Sequence, residues 1–266
     1  MQNIANILTY FKNELRGVID DREITSLYYI TIEKLFGFDK SACIVHAMDE
    51  LASTNRAHVI EIVSELKKGK PIQYILGESD FYGLKFIVSK EVLIPRPETE
   101  ELVDWVIKSS REKQSFLDIG TGSGCIIISL CKNLKGNFVG VDISSDALEV
   151  AKKNSIKNNT RVSFHNMDIF YDNFSESISF DVIVSNPPYV LNSEKKYMQN
   201  NVLNFEPTQA IFVDDHNPLL FYNLIIKTSK KLLNKDGTLY LEINENFGCD
   251  ICQILDNAGF VNIELK

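Results

Sequence analysis

The run Val182-Ile183-Val184-Ser185-Asn186-Pro187-Pro188-Tyr189 most tightly limits what this chain can fold into. Its first four residues are apolar or small and read as a buried strand. Neither proline has an N–H to donate and each fixes its own φ, so a sheet ladder cannot continue through them. The strand therefore ends at Asn186, in a stiff corner that presents an amide and an aromatic ring. Such rigidity is useful where groups must be held still around a substrate.

The chain around this corner alternates between strand and helix patterns. Strands are expected at 115–119, 137–143, 162–167, 180–185, 238–243 and 261–265, with helices near 124–134, 144–157, 218–234 and 247–258. Asn217-Pro218 has the form of a cap and first helical position, and Gly237 and Gly259 that of terminators. This alternation predicts an α/β domain over 98–266 with a mostly parallel sheet and helices on both faces. Ligands of such sheets bind at the carboxyl ends of the strands.

Residues 1–70 have a different period. Ile4, Ile7, Leu8, Phe11 and Leu15 share one helical face. Ile24, Leu27, Tyr28, Leu35 and Phe36 form a second run before Gly37, a shorter segment spans 41–48, and Val59, Ile62, Val63 and Leu66 form a fourth run before Gly69. The expectation is a small helical bundle, either a structural cap or a docking domain for a partner. Between the two regions, 71–97 is β-rich and broken by glycines, which suggests a hairpin linker. Pro97 then suits the first turn of a helix, with acidic residues behind it at the positive end of its dipole.

The strand ends carry the candidate ligand site. The first runs into Asp118-Ile119-Gly120-Thr121-Gly122-Ser123-Gly124. Glycines here allow a tight strand-to-helix turn and close approach of backbone to a ligand. Dinucleotide folds use G-x-G-x-x-G, with a pyrophosphate at the helix end. The spacing here is G-x-G-x-G, position 125 is Cys, and Asp118 suits a cation better than a diphosphate. S-adenosylmethionine, with its sulfonium and ammonium groups, fits better than a dinucleotide; a purely structural turn is the third reading. Asp142 ends the second strand and can accept both ribose hydroxyls. Asp168, after the third, can accept from an adenine amino group, with Ile169 or Phe170 packed on the ring. Asn186 ends the fourth, so three strand ends and the glycine loop converge on one crevice.

Composition narrows the partners. The net charge is −8, from 28 basic and 36 acidic residues. No overall basic footprint is present, which disfavours duplex nucleic acid as a substrate. No apolar run approaches the roughly 20 residues of a membrane span, and Met1-Gln2-Asn3 does not begin a secretory signal. Five scattered cysteines at 43, 125, 131, 249 and 252 point to the reducing cytoplasm. Cys249 and Cys252 form a C-x-x-C without a second pair or a nearby His, which is a poor metal site. No metal is expected.

With these motifs in view, the chain resembles the class I S-adenosylmethionine-dependent methyltransferases. More narrowly, it resembles the peptide chain release factor glutamine methyltransferases, over nearly its whole length. The resemblance rests on the helical N-terminal region, 71–77 (PIQYILG), 94–100 (IPRPETE), Asp118–Gly124, Asn186–Tyr189, and Glu206-Pro207 with Ala210. It implies a Rossmann-like sheet ending in a seventh, antiparallel strand. The sequence ends at Lys266, where the sixth strand would finish, so the seventh is expected to be missing. It further implies transfer of a methyl group from S-adenosylmethionine, leaving S-adenosylhomocysteine, to the glutamine of the Gly-Gly-Gln motif in bacterial class I release factors. The alternatives are a ribosomal-protein glutamine methyltransferase, a nucleic-acid adenine methyltransferase, and a non-catalytic donor-binding module.

The resemblance and the chemistry assign the residues together. The Asn186 side-chain oxygen and the Pro187 carbonyl would accept the two N–H groups of the substrate amide. Tyr189 would pack on the amide plane, and Pro188 would complete the substrate pocket. Asp118, Gly120, Thr121, Gly122, Ser123, Gly124, Asp142, Asp168, Ile169 and Asn186 would bind the donor. Catalysis would be mostly positioning. The long stretch 190–216 would form a lip, with Glu206-Pro207 orienting it. Arg96 and Glu98 would lie near the donor's methionine end or brace the site through a salt bridge.

Overall fold

The computed structural model describes residues 1–171, 174 and 178–266. The chain forms two compact units, one of Met1–Gly77 with Asn200–Phe205, the other of Glu78–Gln199 with Glu206–Lys266.

The first unit is helical: α1 (Ala5–Leu15), α2 (Asp21–Phe36), α3 (Lys40–Val45), α4 (Ser53–Lys67) and α5 (Ile72–Leu76). The Asp20 side chain caps α2 by accepting from the Arg22 N–H, and Gly37 closes it at φ 69°. The apolar faces read from the sequence meet in one core: Ile7, Phe11 and Leu15 pack with Ile24, Ile32, Val59 and Val63. One expectation fails here. The stretch 71–77, read as β-rich, is a helix. Pro71 precedes the first turn and Gly77, at φ 67°, donates its N–H to the Gln73 carbonyl. Five residues between a proline and a left-handed glycine close one helical turn, and this local punctuation outweighs β propensity.

In the second unit, β1 (Glu78–Phe81) and β2 (Leu84–Ile87) pair antiparallel. This hairpin is the one expected within 71–97, and it packs against a helix of the same unit. Asn154 of α8 (Ser145–Lys157) accepts the Ile87 N–H at 2.6 Å and donates to the Ile87 carbonyl at 3.0 Å. Helix α6 (Pro97–Ser109) follows, with Pro97 in its first turn.

Then come β3 (Gln114–Ile119), α7 (Cys125–Asn133), β4 (Gly136–Asp142), α8, β5 (Ser163–Asn166), β6 (Phe180–Ser185), β7 (Val190–Leu191), α9 (Asn200–Phe205, which belongs to the first unit), β8 (Phe212–Val213), α10 (Leu220–Leu232), β9 (Leu233–Leu241) and α11 (Gly248–Asn257). The main sheet is parallel, in the order β5-β4-β3-β6-β9. Alternate residues of each strand face opposite layers. Phe116, Val182 and Val184 pack with Val103 and Val106 of α6 on one side. Leu117, Ile119 and Ile183 pack with Ile225 and Leu232 of α10 on the other. The chain leaves β3 toward β4 on one side and returns to β6 on the other. The switch point lies between β3 and β6, with Ile119 beside Ser185.

The strand expected at 261–265 does not form; this stretch has no regular structure. A strand exists through its ladder, and no neighbour pairs with it. Val261 and Leu265 stay exposed at 79% and 59%. Among the described residues the main sheet therefore has five strands, all parallel.

Candidate active site

A cavity of about 500 Å³ opens at the carboxyl ends of β3, β4 and β6. It is lined by Ile119–Ser123 after β3, Val141–Ser144 after β4, Met167–Phe170 after β5 and Ser185–Pro188 after β6. Arg96 and Thr99 at the start of α6, Pro207–Ala210 without Thr208, and Phe221 of α10 complete the wall.

The loop after β3 turns on its glycines: Gly120, Gly122 and Gly124 have φ of 73°, 54° and 79°. Gly124 also faces α7 and α8. A Cβ there would lie 2.8 Å from Ile128 Cδ1 and 3.3 Å from Ala151 Cβ. This shape is held by carboxylates from behind. Asp118 is fully buried; its Oδ2 accepts the Thr121 hydroxyl at 2.6 Å, while Oδ1 has no hydrogen-bond partner among the described residues. Burial lifts the Asp118 carboxyl to about 7, opposed by the Thr121 bond and reinforced by the charge of Asp142. Asp142 accepts the Gly122 N–H at 2.8 Å on one oxygen and the Ser144 N–H at 2.9 Å on the other. Its carboxyl is also pushed up by burial, against those N–H bonds. Each oxygen keeps a second lone-pair direction, which suits a pair of vicinal hydroxyls.

Asp168 accepts the Phe170 N–H at 2.8 Å, and Phe170 lies edge-on to Phe221 at 5.7 Å. At the other end of the cavity, Asn186 Nδ2 donates to Thr99 Oγ1 at 3.1 Å. The Thr99 hydroxyl donates to Glu242 at 2.6 Å, and the Tyr189 hydroxyl donates to the other Glu242 oxygen at 3.0 Å. Arg96 pairs with the buried Glu206 at 2.7 Å, and Glu206 also accepts the Ile94 N–H at 3.2 Å. This clamp ties the 190–216 stretch to the segment before α6.

The chain is similar to proteins of known family. Residues 110–250 match the model described as "Methyltransferase domain" and residues 6–77 that described as "PrmC N-terminal domain". A release factor glutamine methyltransferase of Flavobacterium psychrophilum is 42% identical, over 99% of this chain and 94% of that protein. The chain belongs to the release factor glutamine methyltransferase family. The family member of Bacteroides thetaiotaomicron is 40% identical, over 97% of this chain and 94% of its own length. Among solved structures, a methyltransferase of Pyrococcus furiosus superposes with a TM-score of 0.52, covering 81% of this chain and 93% of that one at 19% identity. That likeness speaks to the fold, which is the class I methyltransferase fold.

Within this family member the cavity gathers most of the residues singled out from the sequence. Gly120, Thr121, Gly122, Ser123, Asp142, Asp168, Ile169, Asn186, Pro187 and Pro188 all line it. Asp118, Gly124 and Tyr189 do not. Asp118 sits behind Thr121, and Gly124 is the pivot between loop and α7. Tyr189 turns its hydroxyl to Glu242 and packs against the cluster of Tyr222, Ile226 and Ile251. Sequence reasoning missed Thr99 and Glu242. Thr99 lay inside the quoted 94–100 motif, where its hydroxyl could have been noticed. Glu242 had no local signal beyond a carboxylate at a strand end. Cys125 also lines the cavity; desolvation pushes its thiol up to about 12, so it stays protonated and is not a nucleophile. Among the described residues no group of three or more His, Cys, Asp or Glu is placed to hold a metal. Among the described residues no helix is long and apolar enough to cross a membrane.

Proposed function

We propose that this chain transfers a methyl group from S-adenosylmethionine to the side-chain amide nitrogen of a glutamine. The acceptor we assign is the glutamine of the Gly-Gly-Gln motif in bacterial class I peptide chain release factors, met in the cytoplasm. The observation that carries this reading is Asn186. Its Nδ2 is tied back to Thr99, it lies on the cavity wall, and a rigid Pro187 carbonyl follows it.

The cavity fits the donor on its own features. Asp142 is set to accept two ribose hydroxyls. Asp168 and Ile169 flank the place of an adenine, the first accepting from its amino group and the second packing on its ring. The backbone of Gly120–Ser123 runs along the methionyl end, and Gly124 shapes that loop. Asp118 acts from behind Thr121 as a buried negative charge. The bound donor supplies an electrophilic methyl group on a sulfonium and departs as neutral S-adenosylhomocysteine.

The residues around Asn186 supply geometry. An amide nitrogen is a weak nucleophile, because its lone pair is delocalised into the carbonyl. Asn186 Oδ1 and the Pro187 carbonyl accept its two N–H bonds and hold the nitrogen toward the methyl group. As the N–C bond forms and the C–S bond breaks, the nitrogen becomes acidic and releases one proton toward solvent. Holding two reactants in attack geometry can supply several kcal/mol. Tyr189 acts from behind the corner, through Glu242. The Met1–Gly77 unit is assigned to docking the protein substrate.

The test offers labelled S-adenosylmethionine with release factor, ribosomal protein and nucleic acid in turn. Label on the release factor glutamine is expected, and Asn186→Ala should lower it by at least about 100-fold, the weight of a lost positioning contact. Donor affinity should stay within about threefold. Label on nucleic acid alone, or a wild-type rate in Asn186→Ala, would overturn the reading.

A further inference from the structure

An asparagine amide has two orientations of nearly the same shape and opposite polarity. One offers a carbonyl oxygen to a ligand, the other an NH2 group. Only the first can receive an amide N–H, so a site of the proposed kind requires something that selects it. The bonds around Asn186 contain such a selector. An ionised Glu242 can only accept. Its two oxygens take the Tyr189 hydroxyl at 3.0 Å and the Thr99 hydroxyl at 2.6 Å. A threonine hydroxyl has a single proton, and Thr99 has spent it on Glu242. Its oxygen can then only accept from Asn186, and it does, from Nδ2 at 3.1 Å. Among the described residues Oδ1 has no donor, and Asn186 lines the cavity.

We infer that Thr99 and Glu242 are positioning residues that fix the polarity of Asn186, and through it the preference for an amide over a carboxylate at the acceptor end. This deepens the proposed function and rests on it for the acceptor. The surroundings support the direction of the relay. Thr99 is 2% exposed, so no water competes for its proton. Burial, with the charge of Glu98, raises the Glu242 carboxyl, and the bonds donated by Thr99, Tyr189 and Asn186 oppose that rise by favouring the ionised form that accepts them. Burial and the charge of Glu242 raise the Tyr189 hydroxyl, so it stays a donor. If Thr99 lost its hydroxyl, Asn186 would keep only its bond to Glu242 and would turn over more readily, presenting NH2 to the cavity.

The test compares Thr99→Val, which keeps the shape, with Thr99→Ser, which keeps the hydroxyl. Four quantities are read: methyl transfer to whichever acceptor the wild type labels, donor affinity by calorimetry, thermal midpoint, and relative affinity for glutamine and glutamate forms of one acceptor peptide. Thr99→Val should lose at least about tenfold in kcat and about tenfold in glutamine-over-glutamate preference, a factor worth about 1.4 kcal/mol. Donor affinity should change little, and Thr99→Ser should restore most of both losses. Proton exchange of the Asn186 side-chain NH2 reads the same relay without any acceptor; it should be slow in the wild type and fast in Thr99→Val. That measurement separates failure of the relay from failure of the proposed acceptor. The inference is overturned if Thr99→Val keeps wild-type preference and exchange. It is also overturned if donor affinity and thermal midpoint fall in step with kcat, or if Thr99→Ser is as impaired as Thr99→Val.

Discussion

Single residues act here mainly by accepting hydrogen bonds in places water cannot reach. Asp118 is the extreme case, a carboxyl group at 0% exposure with one oxygen unpartnered among the described residues. Its carboxyl sits at about 7, well above the ordinary aspartate value, because burial disfavours the charge. The fold therefore holds a proton that an unfolded chain would release near an ordinary aspartate value. This contribution to stability is full at low pH and is lost as pH rises toward about 7. The effect on a cationic donor has the opposite sense, since only the ionised form attracts it. The affinity for S-adenosylmethionine should tighten severalfold between about pH 6 and about pH 8. Binding should release a proton, seen as a buffer-dependent enthalpy in calorimetry. Asp118→Asn should flatten the profile; an unchanged slope would remove Asp118 from donor binding.

At the scale of elements, the loop between β3 and α7 joins sheet, cavity and helix packing. Three glycines with positive φ let it turn within five residues. Gly124 is the tightest, facing Ile128 and Ala151 at distances that leave little room for a Cβ. The loop is also tethered from outside: Asn154 of α8 donates to the Ser123 carbonyl at 2.9 Å while bonding the hairpin strand β2. Gly124→Ala would add a left-handed penalty of roughly 1–2 kcal/mol and a contact that Ile128 must yield to. The expected result is a thermal midpoint lower by about 2–6 °C, with donor affinity weakened because the loop backbone moves. Scanning calorimetry with a donor titration would check both. A stable protein with intact donor binding would show that the loop tolerates a side chain at its pivot.

At the scale of the molecule, the chain divides into a helical unit and a sheet unit. The division is not a clean cut in sequence, because Asn200–Phe205 belongs with Met1–Gly77. The cavity and all the groups proposed to bind the donor lie in the larger unit. Deleting residues 1–77 should therefore leave transfer to a short glutamine peptide within about threefold of wild type. Transfer to intact release factor should fall by about tenfold or more, equivalent to roughly 1.4 kcal/mol of lost docking. Comparative kinetics on the two substrates would check this. Equal loss on both would make the helical unit a scaffold for the sheet unit.

Much of this was legible from local pattern. The period-2 and period-3.6 runs placed the strands, the four main helices of the first unit and the switch-point crevice, because each pattern reports which face is buried. The Asn186–Tyr189 corner and the glycine loop were legible because proline and glycine act on their own backbone. Local pattern misled at 71–77, where a proline and a left-handed glycine close a helix, and at 261–265, where an apolar stretch finds no ladder. Tertiary structure alone decided which side-chain atoms meet. The bonded pairs Asn186–Thr99, Thr99–Glu242 and Tyr189–Glu242 lie 87, 143 and 53 residues apart in the chain, and nothing local says which member gives a proton. It likewise turned Tyr189 away from the cavity and toward Glu242. A sequence can announce that an amide stands at a strand end; the direction in which that amide faces depends on neighbours that only folding brings together.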